Sequence, residues 1–142
     1  MGSISEVTNS IVKWDNSRNI TTDQLIKEFN DLVIIDTREE DEYLGATKYG
    51  EARGGHIEGA INIPFNLFLE KDGTLKKSIS IKKILKSKII TNKNSMKIVT
   101  YCTAGIRSAH MQVVLESLGY NARNYDASFY RWANIKTLKL EK

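Results

Sequence analysis

The sequence has 142 residues, the usual length of one domain, so two independent hydrophobic cores are not expected. Hydrophobic residues make up 41% of the chain and charged residues 27%, the balance of an ordinary soluble globular protein. The net charge is +4, and the lone cysteine excludes an internal disulfide and is compatible with a reducing compartment. The apolar runs are too short to span a bilayer and the start lacks a secretory signal, so we predict a cytoplasmic protein without a membrane partner.

Three segments are predicted along the chain: a polar lead-in over residues 1–20, one domain over 21–136 and a short tail over 137–142. The predicted elements of the domain, in chain order, are a helix over 22–30, a strand over 32–36, a short helix over 39–44, a loop over 45–55, a strand over 60–63, a lysine-rich helix around 81–89, a strand over 97–101, a helix over 106–118, a weaker strand over 123–125 and a short helix over 128–132. Strands that alternate with helices predict an α/β domain with a mostly parallel central sheet and helices on both faces.

Several side chains are predicted to cap a helix, to pair or to face the core. Thr21 or Thr22 is expected to cap the first helix and Ser128 the last. Asp36 and Arg38 are expected to form an ion pair at the end of the first strand. The predicted inward-facing residues are Leu25, Ile26 and Phe29 in the first helix, Ile81, Ile84, Leu85 and Ile89 in the lysine-rich helix, and Ala109, Val113 and Leu118 in the helix after Cys102.

The excess positive charge is concentrated in one stretch of the chain. Its lysines are Lys71, Lys76, Lys77, Lys82, Lys83, Lys86, Lys88, Lys93 and Lys97. No aromatic residues interleave with them, as a platform for stacking nucleic-acid bases would require. We therefore interpret these lysines as the solvated face of an amphipathic helix and predict no nucleic-acid partner.

The segment that follows the strand over 97–101 carries the predicted chemistry. Cys102 lies at the carboxyl end of that strand, where ligands of parallel α/β sheets bind. The next helix begins at Ile106, and its free N–H groups and dipole favour a thiolate, so the pKa of Cys102 is expected to lie below about 8.5. Gly105 lets the loop curve around the sulfur, and Arg107 supplies a charge that suits an oxyanion.

The loop is thus predicted to hold one anionic sulfur and its substrate, with Cys102 as the catalytic residue. The predicted substrate-binding residues of the loop are Thr103, Ala104, Gly105, Ile106 and Arg107. Its Cys-x-x-Gly-x-Arg form resembles the active-site loop of the rhodanese family. Residues 35–43, 54–65 and 125–132 resemble further signatures of that family, in the same order.

The resemblance implies a single rhodanese-like domain and a sulfurtransferase that works by double displacement. Cys102 would take sulfur from a small anionic donor such as thiosulfate and hold it as a persulfide. A thiophilic acceptor, which is cyanide, a thiol or a partner protein, would then remove the sulfur. The resemblance implies neither a cofactor nor a metal.

The loop before His56 resembles that of the catalytic, C-terminal half of thiosulfate and mercaptopyruvate sulfurtransferases. Arg53 in this loop is predicted as a second anion ligand, with a solvated loop charge as the alternative, and His56 is expected to make a structural hydrogen bond. Ala104 and Glu58 stand where thiosulfate enzymes often carry a basic residue. A carboxylate at Glu58 would oppose a dianionic donor if it faced the pocket.

Three alternatives remain open. A phosphatase or arsenate reductase of similar fold has five residues between cysteine and arginine, whereas four lie between Cys102 and Arg107. A binding module of this fold typically loses the cysteine. A sulfur relay to a partner would differ from the sulfurtransferase in its acceptor rather than in its site.

Overall fold

The computed structural model describes residues 18–91 and 94–142. Residues 1–17 of the predicted lead-in, and Lys93 of the lysine-rich stretch, lie outside the described residues. The helices and strands, in chain order, are α1 Thr22–Glu28, β1 Val33–Asp36, α2 Glu40–Tyr43, β2 His56–Ile57, β3 Ile61–Asn62, α3 Ser78–Ser87, β4 Lys97–Tyr101, α4 Ile106–Ser117, β5 Asn121–Asn124, α5 Ser128–Asn134 and β6 Leu140–Glu141. Short 3-10 helices cover Phe29–Asp31 and Phe65–Phe68.

The central sheet has four parallel strands in the order β3-β1-β4-β5, which confirms the predicted α/β domain with a mostly parallel sheet. Because β4 lies inside the sheet, the residue that follows it, Cys102, emerges at the middle of the carboxyl edge. A separate antiparallel pair joins β2 to β6. The predicted tail over 137–142 therefore contributes a strand that holds the chain end against His56 and Ile57.

Apolar side chains form a core on each face of the sheet, because successive strand residues point to opposite faces. One cluster contains Ile35, Ile98, Ile81, Leu85, Met111 and Leu115, and thus joins the sheet to α3 and α4. The other contains Ile34, Val99, Leu25, Phe129 and Trp132, and thus joins it to α1 and α5. This arrangement confirms helices on both faces.

Helix α1 begins with a complete capping box at Thr21, whose hydroxyl accepts from the Gln24 amide while the Gln24 side chain accepts from the Thr21 amide. Leu25 is fully buried, and Phe29 is half-buried, as predicted. Ile26 is 45% exposed, so its predicted inward position is wrong. The reason is geometric, because one residue turns the helix by about 100° and carries Ile26 away from the stripe centred on Leu25.

Two further inward positions also differ from the prediction. Helix α3 ends at Ser87, so Ile89 lies beyond it with a positive φ and an exposed side chain, and Ile90 fills the core instead. On α4, Val113 is 61% exposed, whereas Met111 is buried. Two residues turn a helix by about 200°, so these two side chains cannot share the inner face.

Candidate active site

The chain turns sharply between β4 and α4, and Gly105 makes the turn possible. Gly105 is the N-cap of α4 and has φ +97°, in the left-handed region that favours glycine. A Cβ at this position would lie 2.6 Å from the carbonyl oxygen of Asp126 and 2.9 Å from its Oδ1. No other residue type fits there without moving the backbone, so the predicted need for glycine is confirmed.

The sulfur of Cys102 is buried inside this turn and is surrounded by hydrogen-bond donors. The Gly105 amide donates to Sγ at 3.1 Å. The Ser108 hydroxyl lies 3.4 Å from Sγ and 3.1 Å from the Gly105 carbonyl oxygen, so its one proton can reach either atom. Ser108 was not predicted as a site residue, although its position in the first turn of α4 is the signal that could have identified it.

These contacts set the ionisation of the cysteine. Burial opposes the charged form and by itself would raise the pKa of Cys102. Hydrogen bonds from the Ser108 hydroxyl and from the amides of Ser108, Gly105 and Ala104 outweigh burial, so the pKa is lowered from its ordinary value. The thiolate is the nucleophilic form of cysteine, and this loop stabilises it as the sequence predicted.

The first residues of α5 hydrogen-bond to the loop between β4 and α4. The amides of Phe129 and Tyr130 donate to the carbonyls of Cys102 and Thr103 at 3.0 and 3.1 Å. Ser128 does not cap α5 with its side chain, contrary to the prediction. Its hydroxyl instead accepts from the Cys102 amide at 3.2 Å and donates to the carbonyl oxygen of Tyr125 at 2.8 Å.

An open cavity of about 490 Å³ leads to the sulfur. The residues that line it are Tyr49, Cys102, Thr103, Ala104, Ile106, Arg107 and Tyr130. The structure thus gathers the predicted loop residues around one pocket, with Gly105 beneath as an amide donor to Sγ. The two tyrosines at the mouth were not predicted, because they come from the loop over 45–55 and from α5, far from Cys102 in sequence.

Arg107 lines the pocket, but its charge is already paired. Its Nη1 and Nη2 donate to the two carboxylate oxygens of Glu42 at 3.0 and 3.2 Å, and Nη2 also donates to the Thr103 hydroxyl at 2.9 Å. The Thr103 hydroxyl in turn lies 3.2 Å from Glu42 Oε1. Glu42 is fully buried. It was missed because nothing in the sequence shows that α2 packs against this loop.

The Glu42 carboxylate is held in its charged form. Burial would raise its pKa, but hydrogen bonds from Arg107 and from the Glu39 amide, with the charges of Arg107 and Arg38, lower it below the ordinary value. The same pairing raises the pKa of Arg107 despite the partial burial of its side chain. Beside Cys102, the negative charge of Glu42 therefore cancels the positive charge of Arg107.

Arg53 lies elsewhere, and its expected role as a second anion ligand is corrected. Its guanidinium donates to the carbonyls at the end of α5 and just beyond, which are those of Trp132, Ala133, Ile135 and Leu138, at 2.8–3.3 Å. A cation suits the carboxyl end of a helix, where carbonyls lack intrahelical partners. Arg53 therefore ties the loop over 45–55 to α5.

A buried network crosses the sheet edge beside the pocket. Asp36 and Arg38 form the predicted ion pair at 2.7 Å, and both are fully buried. The Tyr101 hydroxyl donates to Asp36 at 2.6 Å, and Arg38 donates to the Gly55 carbonyl at 2.6 Å. The Arg38 guanidinium also lies 4.0 Å from the centre of the Phe129 ring. The network fixes the loops rather than facing the cavity.

Two other residues singled out in the sequence lie outside the pocket. His56 is buried, and its ring stacks on that of Tyr43 with the ring centres 3.6 Å apart. Its Nδ1 lies 2.8 Å from the carbonyl oxygen of Tyr43, the kind of contact expected of a structural histidine. Glu58 borders a different cavity beside Trp132. The carboxylate of Glu58 therefore does not oppose an anion at Cys102.

Neither a metal site nor a membrane span is visible in the part of the chain that the structure describes. Within residues 18–91 and 94–142, no three His, Cys, Asp or Glu side chains gather as metal ligands. Across the same described residues, no helix has the length and apolar composition needed to cross a membrane.

Comparison with known proteins gives consistent matches. A family model described as a Rhodanese-like domain matches residues 21–135. The chain is 32% identical over 136 residues to "Putative thiosulfate sulfurtransferase 1" of Mycobacterium bovis, covering 89% of this chain and 48% of that protein. It is 34% identical over 118 residues to "Sulfur carrier protein TtuD" of Thermus thermophilus, covering 77% of this chain and 41% of that protein.

A solved structure is also similar. The anaerobic ergothioneine biosynthesis enzyme from Chlorobium limicola, in complex with its natural substrate trimethyl histidine, superposes with a TM-score of 0.74 at 25% identity. The match covers 87% of this chain and 28% of that one. The chain therefore spans less than half the length of each of these three relatives.

Proposed function

Because the chain belongs to the rhodanese-like domain family and is similar to proteins named for sulfur transfer and sulfur carriage, we propose that it moves sulfane sulfur through a persulfide on Cys102. The donor is a small anionic sulfur compound such as thiosulfate. The acceptor is cyanide, a thiol or a thiol-bearing protein. The free Cys102 and the need for reduced acceptors fit a reducing compartment such as the cytoplasm.

The reaction has two balanced steps. The Cys102 thiolate attacks the outer sulfur of thiosulfate, the S–S bond of the donor breaks, and sulfite leaves with the electron pair while a persulfide anion remains on the enzyme. An acceptor such as cyanide then attacks the terminal sulfur, so thiocyanate departs and the thiolate returns. No general base is required, since the nucleophile is already ionised.

The observation that carries this proposal is the set of donors around Sγ. The Gly105 amide at 3.1 Å and the Ser108 hydroxyl at 3.4 Å approach the sulfur itself. A persulfide formed here would keep Sγ among these donors and carry its charge on the next sulfur, about 2 Å away, still close to the amides and the positive end of the α4 dipole. The lowered pKa of Cys102 supports the same role, since surroundings that stabilise a thiolate also favour an anionic sulfur bound to it.

Intact mass spectrometry tests the proposal. Wild-type protein is incubated in turn with thiosulfate, 3-mercaptopyruvate and benzenethiosulfonate, and its mass is compared with that of Cys102→Ser. We expect wild type to gain one sulfur atom with at least one donor and to lose it on addition of cyanide, and the variant to gain none. A variant with native circular dichroism that still gains sulfur would show that Cys102 is not the carrier.

A sulfur relay is the second candidate, favoured by the similarity to a protein named as a sulfur carrier. It shares the persulfide and differs only in the acceptor. A relay would hold the persulfide for long periods in the presence of cyanide and discharge it rapidly to a partner protein. The rate of thiocyanate release from the persulfide form therefore separates the two candidates.

A further inference from the structure

The mouth of the Cys102 cavity is apolar and aromatic rather than charged. Tyr49 is 55% exposed, Tyr130 is 42% exposed and Ile106 is 81% exposed. All three line the cavity, and Ala104 adds a methyl group beside them. Exposed apolar groups that converge on one reactive atom are a surface that a ligand can cover, since removing apolar area from water is favourable.

The Tyr130 side chain and the backbone of Tyr49 are tied together across the opening. The Tyr130 hydroxyl donates to the carbonyl oxygen of Tyr49, which joins α5 to the loop over 45–55. Arg53 joins the same loop to the end of α5. The two elements that carry the tyrosines are thus tied to each other, so little backbone ordering is needed when a ligand binds.

The charge balance of the pocket disfavours a dianion. Among the described residues that line the cavity, Arg107 is the one cation, and its guanidinium is bound to Glu42 and Thr103. With Cys102 as a thiolate, the three charged groups sum to a single negative charge. The amides at the start of α4 and the dipole of that helix offset part of this negative charge. Among the described residues that line the cavity, no unpaired cation is available to balance a second negative charge on the donor.

We propose, building on the function proposed above, that the preferred donor carries its sulfane sulfur on an organic group with at most one negative charge, and that Tyr49, Tyr130 and Ile106 receive the apolar or aryl part of that group. Glu42 sets this preference by neutralising Arg107. Glu42 is therefore a specificity-determining residue that acts through Arg107 and does not touch the reacting atoms.

An aryl thiosulfonate provides a probe of this class. The Cys102 thiolate attacks its terminal sulfur, the S–S bond breaks, and the aryl sulfinate leaves with the electron pair while the enzyme keeps a persulfide anion. Charge is conserved, because two singly charged anions give two singly charged anions. Thiosulfate reacts by the same displacement at its outer sulfur, but it carries a second negative charge and has no apolar group.

The test measures the rate of persulfide formation by intact mass with three donors: benzenethiosulfonate, methanethiosulfonate and thiosulfate. Wild type is compared with Ile106→Ala, Tyr130→Ala and the control Val113→Ala, which removes an exposed apolar side chain from the same helix as Ile106 but outside this cavity. Each donor is compared with itself between variants, so its intrinsic reactivity cancels.

We expect Ile106→Ala and Tyr130→Ala to lower the rate with benzenethiosulfonate about tenfold and to change the rate with methanethiosulfonate less than twofold, as for loss of apolar contacts in a binding pocket. Val113→Ala should change neither rate. Glu42→Gln, which keeps one acceptor oxygen, should raise the thiosulfate rate relative to the benzenethiosulfonate rate by about tenfold. If Glu42→Gln does not fold, the Ile106 and Tyr130 variants decide the matter alone.

Two results would overturn the inference and leave the proposed function standing. One is equal loss of rate with both thiosulfonates in the Ile106 and Tyr130 variants. The other is faster loading of wild type by thiosulfate than by benzenethiosulfonate, once each rate is divided by the rate of the same donor with a free small thiol. Absence of persulfide with all three donors would instead reject the proposed function, and this inference with it.

Discussion

The carboxylate of Glu42 binds both terminal nitrogens of Arg107, at 3.0 and 3.2 Å, beneath the Cys102 pocket. Glu42 is fully buried, whereas the Arg107 side chain is 28% exposed. Removing one partner of such a pair leaves the other charge uncompensated. The first prediction measures that coupling.

Arg107→Met should lower the free energy of unfolding by on the order of 3 kcal/mol, because it strands the buried Glu42 carboxylate. The double variant Glu42→Met/Arg107→Met should lose less than the sum of the two single variants, as urea unfolding would reveal. The bidentate pair of Arg123 and Glu28 is the matched control, since both of its side chains are partly exposed and its coupling should be weaker. Additive effects at the Glu42 pair would contradict its assignment as a coupled pair.

Glu42 should also shape the acid stability of the protein. Its folded pKa lies below the unfolded value of about 4.3, so the unfolded state binds the proton more readily. The resulting stability is present above the unfolded pKa and is lost as pH falls through the folded pKa. Unfolding free energies measured below about pH 5 should therefore fall more steeply for wild type than for Glu42→Met/Arg107→Met. Parallel curves for the two proteins would refute this.

Ser108 should help to keep Cys102 ionised. Its hydroxyl, 3.4 Å from Sγ, lowers the pKa of Cys102 against the opposing effect of burial. Ser108→Ala should move the pH midpoint of iodoacetamide alkylation upward and, at pH values below the wild-type midpoint, slow alkylation on the order of tenfold, since a hydrogen bond to a charged group contributes about 1.5 kcal/mol.

The control for Ser108→Ala is Ser117→Ala at the other end of α4. The Ser117 hydroxyl donates to the Val114 carbonyl and not to the sulfur. The lone cysteine makes the alkylation signal unambiguous. An unchanged midpoint in Ser108→Ala would mean that the backbone amides alone stabilise the thiolate.

Gly105 should tolerate no side chain, for two separable reasons. Its φ is +97°, and a Cβ would lie 2.6 Å from the Asp126 carbonyl. Gly73 has a similar φ of +87° but no atom within 4 Å of the added Cβ. Gly73→Ala should therefore lower the free energy of unfolding, measured by chemical denaturation, by only the conformational cost of about 1 kcal/mol. Gly105→Ala should lower it clearly more, because the added Cβ also clashes with Asp126. Equal losses of unfolding free energy in the two variants would show that Asp126 moves to make room for the added methyl group.

The sequence predicted the order of the main strands and helices because their buried residues recur with the spacing of a helix or of a strand. It located the Cys102 turn because cysteine, glycine and arginine lie within six residues. It could not reveal Glu42 or Tyr49 at this site, since their positions depend on how α2 and the following loop pack. Arg53 was misplaced for the same reason. The strands β2 and β6 have two residues each, too few for a period.

The last prediction separates sulfur chemistry from phosphate chemistry through the size of the loop. In wild type, four residues lie between Cys102 and Arg107, and the Gly105 amide points at the sulfur from 3.1 Å. Inserting one glycine after Gly105 should spread the amides around a larger volume, so persulfide formation should fall on the order of 10–1000-fold, as for loss of positioned donors.

The insertion has a matched control and a clear contradicting result. A glycine inserted after Gly73, in an exposed turn with open space around it, should leave persulfide formation unchanged. Wild type should release no phosphate from p-nitrophenyl phosphate, whereas the longer loop has room for a tetrahedral group. If wild type hydrolyses that ester and Cys102→Ser does not, the loop already accommodates phosphate, and the sulfurtransferase assignment is wrong.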